Sequence, residues 1–320
     1  MFYLYSRFLC RLAIGLFIRN IKITNLQHAS PGKPLLLASN HSGSFFDAIV
    51  LGIYLSQPIH TFTRADVFRK PAVARWLKRI NLIPAYRGTE GGRDHLRKNE
   101  ESFRMVREMF KSNECIVIFS EGIAVNEWKL RPLAKGTGRL AWQTWFGENP
   151  QINMEVLPTG LTYEHYHGAG KDVLVRFGEP ILHDTIRENP LEQEKWLRAF
   201  NLLLTERMKA AILETPDGVP DPSILKETVP QKQGNVLFKL AGLLGRAVNR
   251  PFYRLYSKPL DKKTKGTVFY DSVLFGALMY TYPILIGLLA LVIGSLTSAS
   301  WGIFFFFAMP LLGWLGNQYR

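Results

Sequence analysis

The sequence predicts an α/β domain with an apolar segment at each end of the chain, and three observations carry that expectation. The middle of the chain alternates short apolar runs with longer stretches at helical spacing, the pattern of strands and helices taking turns. A histidine followed closely by a carboxylate, His41 and Asp47, sits where one such apolar run ends and a helical stretch begins. The third observation is that no charged residue occurs between Asp271 and Arg320.

Taken in order, the alternation places strands near 34–39, 58–63, 81–86, 115–119, 154–161 and 172–177. Helices are expected over 44–55, 70–79, 94–112, 132–147 and 190–212. Residues 213–233 contain Pro216, Pro220, Pro222 and Pro230 and read as a linker. The chain then divides into an N-terminal membrane-interface helix (1–19), a catalytic domain (20–215), a linker with a basic amphipathic segment (216–265) and a hydrophobic hairpin (266–320). Because every strand of that domain precedes the linker, the domain is expected to stay folded without residues 267–320.

Composition narrows the partners. The 320-residue chain is 47% apolar and carries a formal net charge of +14, so it pairs a sizeable core with a basic surface suited to a polyanion. Its aromatic residues lie in apolar runs, not between basic ones as on a nucleic-acid stacking platform. An anionic membrane surface is therefore favoured over nucleic acid. Cys10 and Cys115 stand in apolar surroundings, read as small hydrophobes, and imply no disulfide framework, as expected of a reducing compartment.

Val273–Leu296 is long enough to cross a bilayer, which takes about 20 residues. Trp301–Leu315, with phenylalanine at every position from 304 to 307, is shorter and fits a span, a re-entrant helix or an interfacial one. Arg246, Arg250, Arg254, Lys258, Lys262, Lys263 and Lys265 precede the uncharged run. They place that side, and the catalytic domain, in the cytoplasm and suit anionic headgroups. Val236–Tyr256 is either a helix lying on the membrane or an amphipathic helix packed on the domain. In the first segment, Arg7, Arg11 and Arg19 interrupt the apolar residues, which fits an interfacial helix with snorkelling cations and not a cleaved signal.

The chemistry centres on Asn40-His41-Ser42-Gly43-Ser44-Phe45-Phe46-Asp47. A carboxylate on one imidazole nitrogen fixes the tautomer and leaves the other nitrogen free to take a proton from a hydroxyl. The end of a strand is the usual place for a ligand site in such folds. A serine hydrolase using Ser42 or Ser44 is disfavoured, because the nucleophile elbow G-x-S-x-G is absent. His165, His167 and His183 read as loop histidines, with no cysteine or carboxylate completing a metal site, so no metal and no cofactor is expected. Gly88, Gly91 and Gly92 read as a loop that lacks the ending of a P-loop.

Three more blocks accompany His41 and Asp47: Ile83-Pro84-Ala85-Tyr86-Arg87-Gly88, Ile116-Val117-Ile118-Phe119-Ser120-Glu121-Gly122 and Val156-Leu157-Pro158-Thr159-Gly160. In this order and at these distances the four blocks, spread over residues 20–215, resemble the glycerolipid acyltransferases, the lysophosphatidate (1-acyl-glycerol-3-phosphate) and glycerol-3-phosphate acyltransferase family. The resemblance implies a mixed sheet flanked by helices. It also implies acyl transfer from a thioester, acyl-CoA or acyl carrier protein, to a phosphorylated glycerol acceptor, with His41 and Asp47 catalytic.

Arg87, Glu121, Gly122 and Arg131 are then the expected substrate-binding residues. Arg87 suits the acceptor phosphate, and Glu121 either orients the acceptor or holds the basic cluster in place. Lys129, Arg131 and Lys135 either reach that phosphate or form a solvated charge run. Two departures stand out. Five residues separate His41 from Asp47 where the family pattern has four, and Ser120 replaces a proline. The spacing also occurs among glycerol-3-phosphate acyltransferases, so lysophosphatidate is the first choice of acceptor and glycerol-3-phosphate the second. A non-catalytic membrane scaffold with the same fold is the rival from another class.

Overall fold

The structure, a computed structural model, describes residues 2–86, 88–147 and 152–319. Within the helix after Arg87, the side chains of residues 88–93, 95 and 96 are not described. In chain order the principal elements are α1 (Phe2–Ile14), β1 (Ile18–Thr24), β2 (Leu35–Ser39), α2 (Phe45–Tyr54), β3 (Ile59–Arg64), α3 (Pro71–Arg79) and β4 (Leu82–Ala85). Then come α4 (Gly88–Lys111), β5 (Cys115–Phe119), α5 (Gly136–Phe146), β6 (Glu155–Tyr163), β7 (Lys171–Phe177) and α6 (Gln193–Ala211). The chain closes with α7 (Pro222–Thr228), α8 (Val236–Thr264), α9 (Tyr270–Leu296) and α10 (Ala299–Gln318).

The strands form one sheet in the order β1-β7-β6-β2-β5-β3-β4. All neighbours are parallel except β6 and β7, which are antiparallel, so the sheet is mixed. β2 lies between β5 and β6 in level register, with Ser39 beside both Phe119 and Thr159. The ends of these strands, and the residues that follow β2 and β5, therefore share one edge of the sheet. Pro84 is tolerated because β4 is an edge strand and its missing N–H breaks no inner ladder.

Side chains of alternate parity build two cores. One face carries Leu35, Leu37, Cys115, Val117, Leu157, Leu161 and Val173 and is covered by α1, α2 and the start of α9. The other carries Leu36, Ala38, Ile116 and Val156 and is covered by α4, α5 and α6, with Trp145, Trp196 and Phe200 stacked edge to face or in parallel.

Several expectations are corrected. The N-terminal helix ends at Ile14, and residues 18–24 form the edge strand β1. Its arginines do not all reach outward. Arg11 Nε donates to the Ile53 carbonyl at 3.1 Å, and Arg7 donates to the carbonyls of Leu55 and Ser56. Both cations thus cap the C-terminal end of α2, where the helix dipole favours positive charge. Arg19 is held by Asp172 at 2.8 Å and Glu164 at 2.7 Å, with 11% of its side chain exposed. The helix after Arg87 begins at Gly88, so Gly88, Gly91 and Gly92 lie in its first turns and not in a loop.

The proline-rich segment is a docked strap, not a free linker. Asp221 caps α7, and Leu225 and Val229 are fully buried against Trp128 and Leu174. Helix α8 packs chiefly on α10 and α9. A Cβ at Gly245 would fall 2.0 Å from the Leu312 carbonyl oxygen, so the two helices cross backbone to backbone there. Arg246 caps α10 through the Tyr319 carbonyl at 2.7 Å.

Helices α9 and α10 are long and apolar enough to cross a membrane. Both outer ends of this hairpin dock on the same domain. Asn317 and Gln318 donate to the carbonyls of Gly15 and Ile18. At the other end, Tyr270, Leu274 and Phe275 belong to the same buried cluster as Phe17 and Phe46. The α/β domain is therefore not complete before the strap, contrary to the expectation drawn from the order of its strands.

Candidate active site

Strand β2 delivers His41 to the edge of the sheet, and α2 brings Asp47 back towards it from its first turn. His41 Nδ1 lies 2.9 Å from Asp47 Oδ2. Asp47 is fully buried, and its other partners are all donors: the Gly43 N–H at 3.0 and 2.9 Å to its two oxygens, and the Tyr163 hydroxyl at 2.8 Å to Oδ1. A carboxylate surrounded by donors accepts from Nδ1 as well, so Nδ1 is the ring nitrogen that donates to it. Among the described residues Nε2 has no hydrogen-bond partner, and 19% of the His41 side chain is exposed.

The ring is fixed on its other sides. It stacks on Phe119, with centroids 3.9 Å apart and planes 11° from parallel. The His41 N–H donates to Glu121 Oε2 at 2.7 Å, and its carbonyl accepts from the Val125 N–H at 3.0 Å. The loop between His41 and Asp47 turns back sharply at Ser44, whose φ is +58°, a region that costs a non-glycine residue about 1–3 kcal/mol. Gly43 admits no side chain, because a Cβ would sit 2.6 Å from Asp47 Oδ1 and 3.0 Å from Tyr163.

Glu121 spans two loops. Its Oε1 accepts from the Arg131 N–H at 2.9 Å while Oε2 holds His41. Burial lifts its carboxyl above the ordinary glutamate range, and the N–H groups of Arg131 and His41 oppose that rise. The carboxylate thus holds the basic segment's backbone in place. Gly122 turns the chain with a φ of +72°, and a Cβ there would meet nothing nearer than Ala134 at 3.7 Å, so its requirement is conformational. The Arg131 guanidinium pairs with Glu127 at 2.6 Å, and Lys129 and Lys135 are exposed. Arg87 lies outside the described residues. The described chain before it is strand β4, parallel to β3, and Tyr86, whose N–H is held by Asn99 at 2.8 Å.

Sequence reasoning missed four contributors. Phe119 and Tyr163 stand on β5 and β6 with the parity of Val117 and Leu161, hence on the face that α2 covers, and this alternation is the signal that marks them. Lys171, fully buried, ion-pairs with Asp271 of α9. Burial lowers its pKa, Asp271 is the main opposing influence, and Asp47 adds to it. Ser272 of α9 accepts the Phe46 N–H at 3.0 Å. The spacing of local motifs carries no trace of these last two contacts.

Residues 20–162 match the Acyltransferase family model. That stretch, a little under half of the chain, is similar to this family. A 79-residue stretch of the chain is 33% identical to glycerol-3-phosphate O-acyltransferase 1 of Saccharomyces cerevisiae, covering 25% of this chain and 10% of that protein. A second 79-residue match, at 28% identity, is to an uncharacterised acyltransferase of Schizosaccharomyces pombe, covering 25% of this chain and 12% of that one. The chain thus matches about a tenth of the length of these yeast relatives. The crystal structure of the 1-acyl-sn-glycerophosphate (LPA) acyltransferase PlsC from Thermotoga maritima aligns at 12% identity and a TM-score of 0.46, over 65% of this chain and 85% of that one.

Within the matched stretch neither Ser42 nor Ser44 hydrogen-bonds His41 among the described residues. His167 is engaged by Asp261 at 3.0 Å and stacks on Tyr270. What the site offers is one oriented imidazole beside a buried carboxylate.

Proposed function

We propose that the chain is a membrane-bound acyltransferase that moves a fatty acyl group from a thioester, acyl-CoA or acyl carrier protein, to the free hydroxyl of lysophosphatidate, yielding phosphatidate. The observation that carries this reading is the 2.9 Å contact of His41 Nδ1 with buried Asp47, which leaves Nε2 without a partner among the described residues on a partly exposed ring. Nε2 takes the hydroxyl proton as the oxygen attacks the thioester carbonyl. The C–O bond forms, the C–S bond breaks, and the imidazolium returns the proton to the departing thiolate. Asp47 stabilises the imidazolium in between. Such general-base help contributes about 10²–10⁴-fold. No covalent acyl-enzyme is required.

Arg87 binds the acceptor phosphate through its planar fork. The net charge of +14 and the two apolar helices support attachment to an anionic membrane, with the domain on the cytoplasmic face. A second acceptor, glycerol-3-phosphate, is favoured by the name of the Saccharomyces cerevisiae relative and by the five residues between His41 and Asp47. Purified protein in detergent, given acyl-CoA or acyl carrier protein with each acceptor in turn, separates the two. Phosphatidate from lysophosphatidate supports the first reading, and lysophosphatidate from glycerol-3-phosphate supports the second. Thioester stable against both acceptors and both donors would leave the scaffold as the reading to adopt.

A further inference from the structure

Helix α2 opens at Ser44, yet Ser44 makes no side-chain cap. The Phe46 N–H closes the turn on the Gly43 carbonyl at 3.2 Å, and a second acceptor for it comes from the hydrophobic hairpin. Ser272 Oγ, in the first turn of α9, accepts the Phe46 N–H at 3.0 Å and reaches the Gly43 carbonyl at 3.5 Å. These two groups bracket Ser44, whose φ is +58°, together with Phe45, and the Gly43 N–H is the one that both Asp47 oxygens accept. The turn of α9 is fixed from below. Asp271 pairs with fully buried Lys171 and accepts the Gly168 N–H at 2.7 Å. From the side, Phe275 packs edge-on against Phe46 and Phe17, each with centroids 5.5 Å apart.

We infer that the first turn of α9 is a positioning element of the active site: Ser272, seated by the Asp271–Lys171 pair, holds the His41–Asp47 loop in its reactive shape. The hairpin is then more than an anchor, because its base and the dyad move as one body. A half-buried serine that merely adds an acceptor to one N–H would also be expected at a packed helix junction. It would not need to reach both the Gly43 carbonyl and the Phe46 N–H, the two ends of the turn that holds the strained Ser44. The inference rests on the acyl-transfer reading for its kinetic consequence, but the geometry it concerns is measurable without substrate.

The test uses the full-length protein in micelles, compared with Ser272→Ala and Ser272→Thr. The substrate-free readout is the low-field Nδ1–H proton resonance of His41, assigned by its disappearance in His41→Ala. The expected result is that this resonance shifts or broadens in Ser272→Ala and returns in Ser272→Thr, which keeps the hydroxyl. In the kinetic readout kcat falls about tenfold, as for a small misplacement of a reacting group. KM for donor and acceptor stays within about twofold, Tm is unchanged, and Ser272→Thr restores the rate. An unaltered resonance in Ser272→Ala overturns the inference. So does a loss that tracks a fall in Tm and that Ser272→Thr fails to restore. If the wild-type protein turns over no thioester, the acyl-transfer reading fails, while the resonance still decides the role of Ser272.

Discussion

The Tyr163 hydroxyl donates to Asp47 Oδ1 at 2.8 Å, on the carboxylate oxygen opposite the one that faces His41. Burial, with Asp47 adding to it, raises the Tyr163 phenol well above its ordinary value, so the donor keeps its hydrogen throughout the neutral and moderately alkaline range. Tyr163→Phe removes a hydrogen bond to a charged acceptor, an interaction worth about 1.5–3 kcal/mol. The expected outcome is a fall in kcat of about tenfold or more with little change in either KM. Steady-state kinetics at saturating donor check it.

Glu121 gives a stability prediction with a definite sign. Its folded-state pKa is raised by burial, so folding favours its protonated form. Its contribution to stability is complete below the ordinary glutamate value of about 4.3 and diminishes as pH rises through the raised folded value. Glu121→Gln removes that slope. Plotting Tm against pH for both proteins, the gap in favour of wild type should narrow as pH rises through that window. The variant's kcat should also fall, because an amide offers one acceptor where His41 and Arg131 require two.

The expected role of Arg87 yields a split in KM. Arg87→Ala raises the acceptor KM by tenfold or more, on the order of a lost charged hydrogen bond, and leaves the donor KM nearly unchanged. Arg87→Lys recovers part of the loss, since an ammonium lacks the planar fork. Equal effects on both substrates would assign Arg87 to structure instead.

The hairpin base yields a truncation prediction. Removing residues 267–320 takes Tyr270, Leu274 and Phe275 out of the core and leaves Lys171 buried without Asp271. Breaking a buried pair in this way costs about 3–5 kcal/mol. The truncated chain is therefore expected to aggregate or to digest rapidly in limited proteolysis. In the full chain, Asp271→Leu alone should be strongly destabilised, and Lys171→Met added to it should restore most of the loss, because an apolar replacement of both partners is often neutral.

Much of this architecture was legible in the sequence where the signal is local. The strand runs at 35–39 and 115–119 are apolar at nearly every position, and His41 and Asp47 lie within one turn of chain. Strand β1 was hidden because Arg19 and Lys22 interrupt its apolar residues, and Arg19 is neutralised by Glu164 and Asp172, far along the chain. The strap at 222–229 was hidden by its prolines, which mark turns whether or not the segment packs. Ser272 is 226 residues from Phe46 and Lys171 is 100 from Asp271. Contacts of that separation exist only once the sheet has brought both segments to one edge.

The central claim is that His41, held by Asp47, removes the acceptor's proton. Its most direct measurement is acceptor-dependent thioester consumption by purified wild-type protein, His41→Ala and Asp47→Asn at equal folded concentration, with lysophosphatidate and glycerol-3-phosphate as acceptors. The account predicts turnover by wild type with one of these acceptors, a loss of about 10²–10⁴-fold in His41→Ala and a large loss in Asp47→Asn, where the amide favours the wrong tautomer. His41→Ala should keep wild-type Tm and membrane attachment within error, whereas Asp47→Asn, whose buried amide faces donors on both sides, should lose some Tm. Near wild-type turnover by His41→Ala would contradict it.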